Sequence, residues 1–101
     1  MFADMKSMVT KAWREHYALL AINCMNLESA RAAVRVAEKH RAPIILNLYQ
    51  GHLAHFPPPV AVAVVKALAD EATVPVTLAL DHGKDPVRIR QAFRAGFSGL
   101  M

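Results

Sequence analysis

The sequence predicts an α/β chain on a parallel sheet, of the (β/α)8 TIM-barrel type, with an N-terminal helix, the first three βα units and the start of strand 4 present. Three observations predict it. Apolar patterning alternates in the order helix, then strand and helix three times, then strand, and strands separated in this way lie parallel with right-handed crossovers. The loop after the first strand, Asn23-Cys24-Met25-Asn26, has no glycine, where a doubly wound nucleotide-binding sheet would carry a glycine-rich phosphate turn. Length completes the argument: such a barrel takes ~250 residues, so the 101 residues here amount to about 40% of one. Residues 1–101 are expected to form a single domain, the N-terminal fragment of a barrel.

Each element has a local justification. Residues 3–15 predict a helix, a lid or anchor, with Met5, Met8, Val9, Ala12 and Trp13 on one apolar face as core. Tyr17 to Ile22 is a short apolar run expected to be a buried strand, and Asn26 is placed to cap the helix that follows. Over 27–40, Leu27, Ala30, Ala33, Val34 and Ala37 form an apolar stripe. The cations Lys39 and Arg41 complement the negative end of that helix, and Pro43 stops it. Pro43 to Leu48 predicts the second strand, and Tyr49 to Phe56 a loop leading to Pro57-Pro58-Pro59. Segment 60–72 alternates like a strand at Val60, Val62 and Val64. Its Ala61, Val64, Val65, Leu68 and Ala72 keep helical spacing, however, with Lys66 and Asp70 as an outer i,i+4 pair, and helix is the reading adopted. Val76-Thr77-Leu78-Ala79-Leu80 is a buried third strand. Asp85 then caps a helix that has Pro86 at its first position and Gly96 at its end, and Phe97 to Met101 begins a fourth strand.

Composition narrows the function classes. A 54% hydrophobic content excludes general disorder, and charges interrupt every apolar run short of the ~18 residues a membrane span needs. No secretory signal is expected, and a single cysteine, Cys24, excludes an internal disulfide and suits a reducing compartment, the cytoplasm. The net charge of +4 is spread along the chain, and the 7% aromatics do not interleave with it, so neither nucleic acid nor membrane is an expected partner. A mildly basic balance suits small phosphorylated substrates.

The chemistry concentrates where the third strand ends, at Asp81-His82-Gly83, because parallel α/β proteins present their ligand-binding residues at the carboxyl ends of strands. Strand alternation puts Thr77, Ala79 and Asp81 on one face and Leu78, Leu80 and His82 on the other, so Asp81 and His82 meet only if the chain turns. Gly83 is the residue expected to supply that turn. The bland alternative is a capping aspartate beside a half-exposed histidine. His52 and His55 lie in the second loop on the same expected face as His82, yet that loop runs beside three prolines and offers no support for a metal, so solvated histidines are the simpler reading. His16 and His40 fall near helix ends and are expected at the surface. Cys24 is expected to be a small buried apolar residue, since no base can be placed beside it.

Five segments in order carry a resemblance. Ala21-Ile22-Asn23 stands before Asn26-Leu27-Glu28, and Ala42-Pro43-Ile44-Ile45 comes next. Val74-Pro75-Val76 then leads to Leu80-Asp81-His82-Gly83, and Ala95-Gly96-Phe97-Ser98-Gly99-Leu100-Met101 closes the series. In this order and spacing the chain, from Ala3 to Met101, resembles the N-terminal portion of the class II, metal-dependent fructose-bisphosphate and tagatose-bisphosphate aldolases. The resemblance implies a zinc-dependent lyase of glycolysis and carbohydrate metabolism, a homo-oligomer at full length. Its substrate would be a phosphorylated ketose, cleaved reversibly to dihydroxyacetone phosphate and an aldehyde. It also implies that Asp81 is the proton-transfer residue, that His82 is one of three histidine ligands of Zn2+, and that Asn23 lies near the sugar phosphate. Cleavage of a ketose carbon–carbon bond leaves an enediolate, whose charge a divalent cation stabilises while a carboxylate exchanges the C4 hydroxyl proton.

The sequence departs from the family's pattern at Tyr49, where many relatives carry a small Ser or Thr that contacts phosphate. The family's other two zinc histidines and its phosphate-binding segments are expected beyond Met101, so these residues alone are expected to be inactive. Two alternatives remain open at this point: a non-catalytic half-barrel that associates through its open strand edges, and another metal-dependent barrel enzyme such as a hydrolase.

Overall fold

The longest uninterrupted burial in the chain falls on Val76–Asp81, where all six residues are buried, and this strand is central to the sheet. A computed structural model describes residues 1–101. It contains α1 (Met5–Glu15), β1 (Leu20–Asn23), α2 (Leu27–Lys39), β2 (Ile44–Tyr49), a 3-10 turn (Gln50–His52), α3 (Pro58–Glu71), β3 (Val76–Asp81), α4 (Pro86–Ala95) and β4 (Gly99–Leu100). The four strands pair in chain order, all parallel, as three successive βα units of a barrel wall require.

The two faces of the sheet are packed differently. Ile44, Leu46 and Leu48 of β2 and Val76, Leu78 and Leu80 of β3 bury against Ala30, Val34 and Ala37 of α2, Ala61, Val62, Val65 and Ala69 of α3, and Ala92 of α4. The opposite face carries Ile45 and Ala79, on which Met8 of α1 packs. The helix expected as a lid or anchor thus covers the face that a barrel turns inward. Residues 1–3 run beside the start of β3, with Ala3 N–H donating to Val76 O at 2.8 Å and Val76 N–H to Met1 O at 2.9 Å.

The helix ends follow local chemistry. The Asp4 side chain caps α1 by accepting from Ser7 N–H at 2.8 Å, so the helix starts at Met5 and not at residue 3. Asn26 and Ser29 form a reciprocal capping box on α2. Asp85 accepts from Val87 N–H at 2.9 Å ahead of Pro86, and Gly96 closes α4 in the left-handed conformation at φ 110°. The proline run belongs partly to α3. Pro58 and Pro59 occupy its first two positions, where the N–H they lack would have no helical partner, so α3 begins two residues before the expected start.

Three expectations need correction. Trp13 is 82% exposed, and Val9 is also exposed, because α1 turns Met5, Met8 and Ala12 inward and nothing covers the outer half of the stripe. Strand β1 begins at Leu20 and is exposed along its whole length, with Leu20 at 63%, because an edge strand with one neighbour is covered on one side only. Lys66 and Asp70 form no ion pair. The Lys66 ammonium instead lies 5.5 Å from the ring centroid of Phe2, which the N-terminal segment brings alongside α3. No helix is long and apolar enough to cross a membrane.

Candidate active site

The carboxyl ends of β1, β2 and β3 present Asn23, Tyr49 and Asp81. The register pairs Asn23 with Asn47 and Tyr49 with Asp81. Asn23 therefore sits one step diagonally from Asp81 across β2, and its Nδ2 donates to Asp81 Oδ2 at 3.3 Å. The other carboxylate oxygen, Oδ1, lies 2.7 Å from Nδ1 of His82. Two of the residues singled out in the sequence thus engage the third, one at each carboxylate oxygen. Asp81 caps no helix.

The turn that makes this possible is made by His82 itself. Its backbone is left-handed at φ 51°, whereas Gly96 is the one glycine with positive φ, so the expectation that Gly83 supplies the turn is corrected. A left-handed backbone costs an L-residue roughly 1–2 kcal/mol, and the cost here swings the imidazole from the helix-covered face to the carboxylate. Gly83 is needed for a different reason. A Cβ there would stand 2.8 Å from Met101 O and from Ile89 Cγ1, and 2.9 Å from Leu80 Cδ2, while Gly83 N–H donates to Met101 O at 2.7 Å. Close approach of Met101, Ile89 and Leu80, not conformational freedom, excludes a side chain.

The electrostatics divide the two partners. The Asp81 side chain is only 12% exposed and that of His82 is 64% exposed, so the carboxylate is sheltered and the imidazole faces solvent. With Nδ1 held by a carboxylate, Nε2 is the atom free to ligate, and an imidazole oriented in this way is a stronger ligand. This donor chemistry fits one vertex of a zinc site. No three His, Cys, Asp or Glu side chains converge to complete one.

The second loop supplies no replacement ligands. The Tyr49 ring lies edge-on to both His52 (5.6 Å) and His82 (6.4 Å), while His52 stands 5.4 Å from His55. Tyr49, the last residue of β2, thus stands between His82 and the second loop. His55 is exposed, as expected of a solvated histidine, but His52 is half-buried with Nδ1 enclosed and unpartnered. Cys24 is buried, and desolvation pushes its thiol up to about 11.

One residue went unnoticed in the sequence. Gln50 Oε1 accepts from the N–H groups of Lys84 at 2.7 Å and Asp85 at 2.9 Å, tying the loop after β2 to the loop after β3. Its partners are backbone amides more than thirty residues away, and such a bond leaves no mark in residue identity.

Comparison with known proteins bears on the family and the fold. The family model of class II fructose-bisphosphate aldolase matches residues 3–101. The 6-phospho-5-dehydro-2-deoxy-D-gluconate aldolase of Bacillus licheniformis is 38% identical over 105 aligned residues, covering 99% of this chain and 35% of its own length. The fructose-bisphosphate aldolase of Mycoplasma pneumoniae is 38% identical over 104, covering 100% and 36%. Among solved structures, the YdjI aldolase of Escherichia coli K12 superposes with a TM-score of 0.88 at 29% identity, over 100% of this chain and 40% of that one. The chain spans about a third of the length of the curated relatives it matches (35% and 36%) and 40% of the aldolase structure it superposes on, as a partial barrel does. On sequence and fold together, the chain belongs to the class II fructose-bisphosphate aldolase family.

Proposed function

We propose that these 101 residues are the first three βα units of a metal-dependent aldolase that cleaves a phosphorylated ketose reversibly, with Asp81 as the proton-transfer residue and His82 as a metal ligand. The observation that carries the proposal is the convergence of both side chains at the tip of β3, achieved at the cost of a left-handed histidine. Asp81 takes the proton from the substrate's C4 hydroxyl in cleavage and returns it in condensation. Asn23 Nδ2 and His82 Nδ1 fix its two oxygens, so the carboxylate meets the hydroxyl in one orientation. A bound divalent cation, zinc in this reading, supplies Lewis-acid stabilisation of the charge developing on the ketose oxygens. His82 would hold it through Nε2, with the remaining ligands on later strands.

The relatives' names support a phosphorylated substrate with a ketone, since one is named for fructose bisphosphate and another for a 6-phospho-5-dehydro acid. Tagatose bisphosphate belongs to the same substrate class. Tyr49, in register with Asp81, stands where the resemblance expects a small residue against phosphate, and this reading assigns it no phosphate contact. In this reading the full-length protein is a homo-oligomeric enzyme of carbohydrate metabolism, and the one cysteine of this chain, free and buried, suits the cytoplasm.

The test is retro-aldol cleavage by the full-length enzyme before and after chelation, alongside His82→Ala. Chelation should abolish cleavage and added Zn2+ restore it, while His82→Ala should lose metal. Full cleavage by protein verified as metal-free, or unchanged metal content in His82→Ala, would overturn the proposal.

A further inference from the structure

We propose that Gln50 is a positioning residue for the site, one that holds His82 in its left-handed conformation without touching it. The inference rests on the proposed roles of Asp81 and His82. It begins from three consecutive backbone amides. Gly83 N–H donates to Met101 O at 2.7 Å, and the N–H groups of Lys84 and Asp85 both donate to Gln50 Oε1, at 2.7 and 2.9 Å. The segment directly after His82 is thus fastened at both edges, to Met101 just past β4 on one side and to Gln50 just past β2 on the other.

The anchor is itself held by the backbone. Gln50 opens the 3-10 turn that follows β2, whose last residue Tyr49 is in register with Asp81, and Leu53 N–H closes the turn onto Gln50 O at 3.1 Å. On the far side, Asp85 caps α4, so the amide that Gln50 holds belongs to the residue fixing the start of that helix. Between these two anchors lies a stretch too short to relax independently. A histidine in a left-handed backbone returns to the extended region once its neighbours allow it, and strand alternation would then carry the imidazole to the face opposite Asp81. Gln50 opposes that return.

The geometry also states what the position requires. One carbonyl oxygen with two lone pairs accepts both amides, so a glutamate of equal reach can replace the glutamine. Asparagine is one methylene short, and alanine accepts nothing. The amide NH2 of Gln50 takes no part in the clamp, which separates this role from direct contact with substrate through that group.

Hydrogen exchange at the Lys84 and Asp85 amides tests the clamp itself, and Zn2+ affinity by chelator competition, with kcat and KM on the full-length enzyme, tests its consequence. Gln50→Ala should accelerate exchange at both amides, weaken Zn2+ binding roughly 10- to 100-fold as loss of an orienting partner does, and lower kcat more than KM changes. Gln50→Glu should restore all three to within about threefold of wild type, as a two-amide acceptor must. If Gln50→Ala speeds exchange while Zn2+ affinity and kcat stay at wild-type values, the positioning role is overturned. It is equally overturned if Gln50→Glu behaves like Gln50→Ala. His82→Ala serves as the control: loss of Zn2+ there with none in Gln50→Ala sinks this inference alone, whereas Zn2+ retained in both sinks the ligand role of His82 as well.

Discussion

Asp81 and His82, neighbours in a chain whose strand period would set them on opposite faces, stand 2.7 Å apart through Oδ1 and Nδ1 because His82 turns left-handed at φ 51°. The contact exists only because the backbone departs from the strand at that one residue. A departure that costs stability and gains a carboxylate–imidazole pair is characteristic of sites where chemistry and folding compete.

That competition is measurable. His82→Gly removes the side chain and the left-handed penalty together, while His82→Ala removes the side chain and keeps the penalty. The glycine variant should therefore be more stable than the alanine variant by about 1 kcal/mol, read as a shift in urea midpoint at constant slope. Equal midpoints would mean that the turn at His82 is unstrained.

Cys24 provides a pH test. Burial raises its thiol from 9.0 to about 11, so the folded state favours the neutral form more strongly than the unfolded state does. The contribution to stability is fully present below the unfolded value near 9.0 and is lost as pH rises through about 11. Stability should fall across that interval in wild type and fall less in Cys24→Ala. At pH 8 an aromatic disulfide reagent should label Cys24 in urea far faster than in buffer. Immediate labelling in buffer would contradict the buried neutral thiol.

The open edges of the sheet make a further prediction. Leu20 and Ile22 on β1, Val36 on α2, and Leu100 and Met101 at β4 are all exposed large apolar residues beside unpaired strand edges. An exposed apolar edge is a template for pairing with another chain. The 101-residue chain studied alone should sediment as dimers or larger species that dissociate on dilution. A single monomeric species at all concentrations, with one sharp unfolding transition by calorimetry, would contradict this.

The order of elements was legible in the sequence because it depends on period and punctuation. Asn26, Asp85, Pro86 and Gly96 each do locally what their identity suggests. Burial at the margins was less legible. Trp13 and the strand from Leu20 have apolar residues at the right spacing, but whether these are covered depends on what the rest of the fold brings, which no local window contains. At the site, Asp81 and His82 stand out by type and position, whereas the sequence points to Gly83 for the turn that His82 makes, since glycine is the usual bearer of positive φ. Gln50 accepts through its side-chain oxygen from backbone amides distant in the chain, a relationship that only the fold creates.

The central claim is that the Asp81 carboxylate moves a proton on a sugar held at this strand tip. It is tested most directly by single-turnover cleavage of fructose bisphosphate by full-length Asp81→Ala, with metal content measured on the same sample. Loss of a positioned acid–base group should slow cleavage by roughly 10²- to 10⁴-fold, with the metal still bound. Cleavage at the wild-type rate by the metal-loaded variant would contradict it.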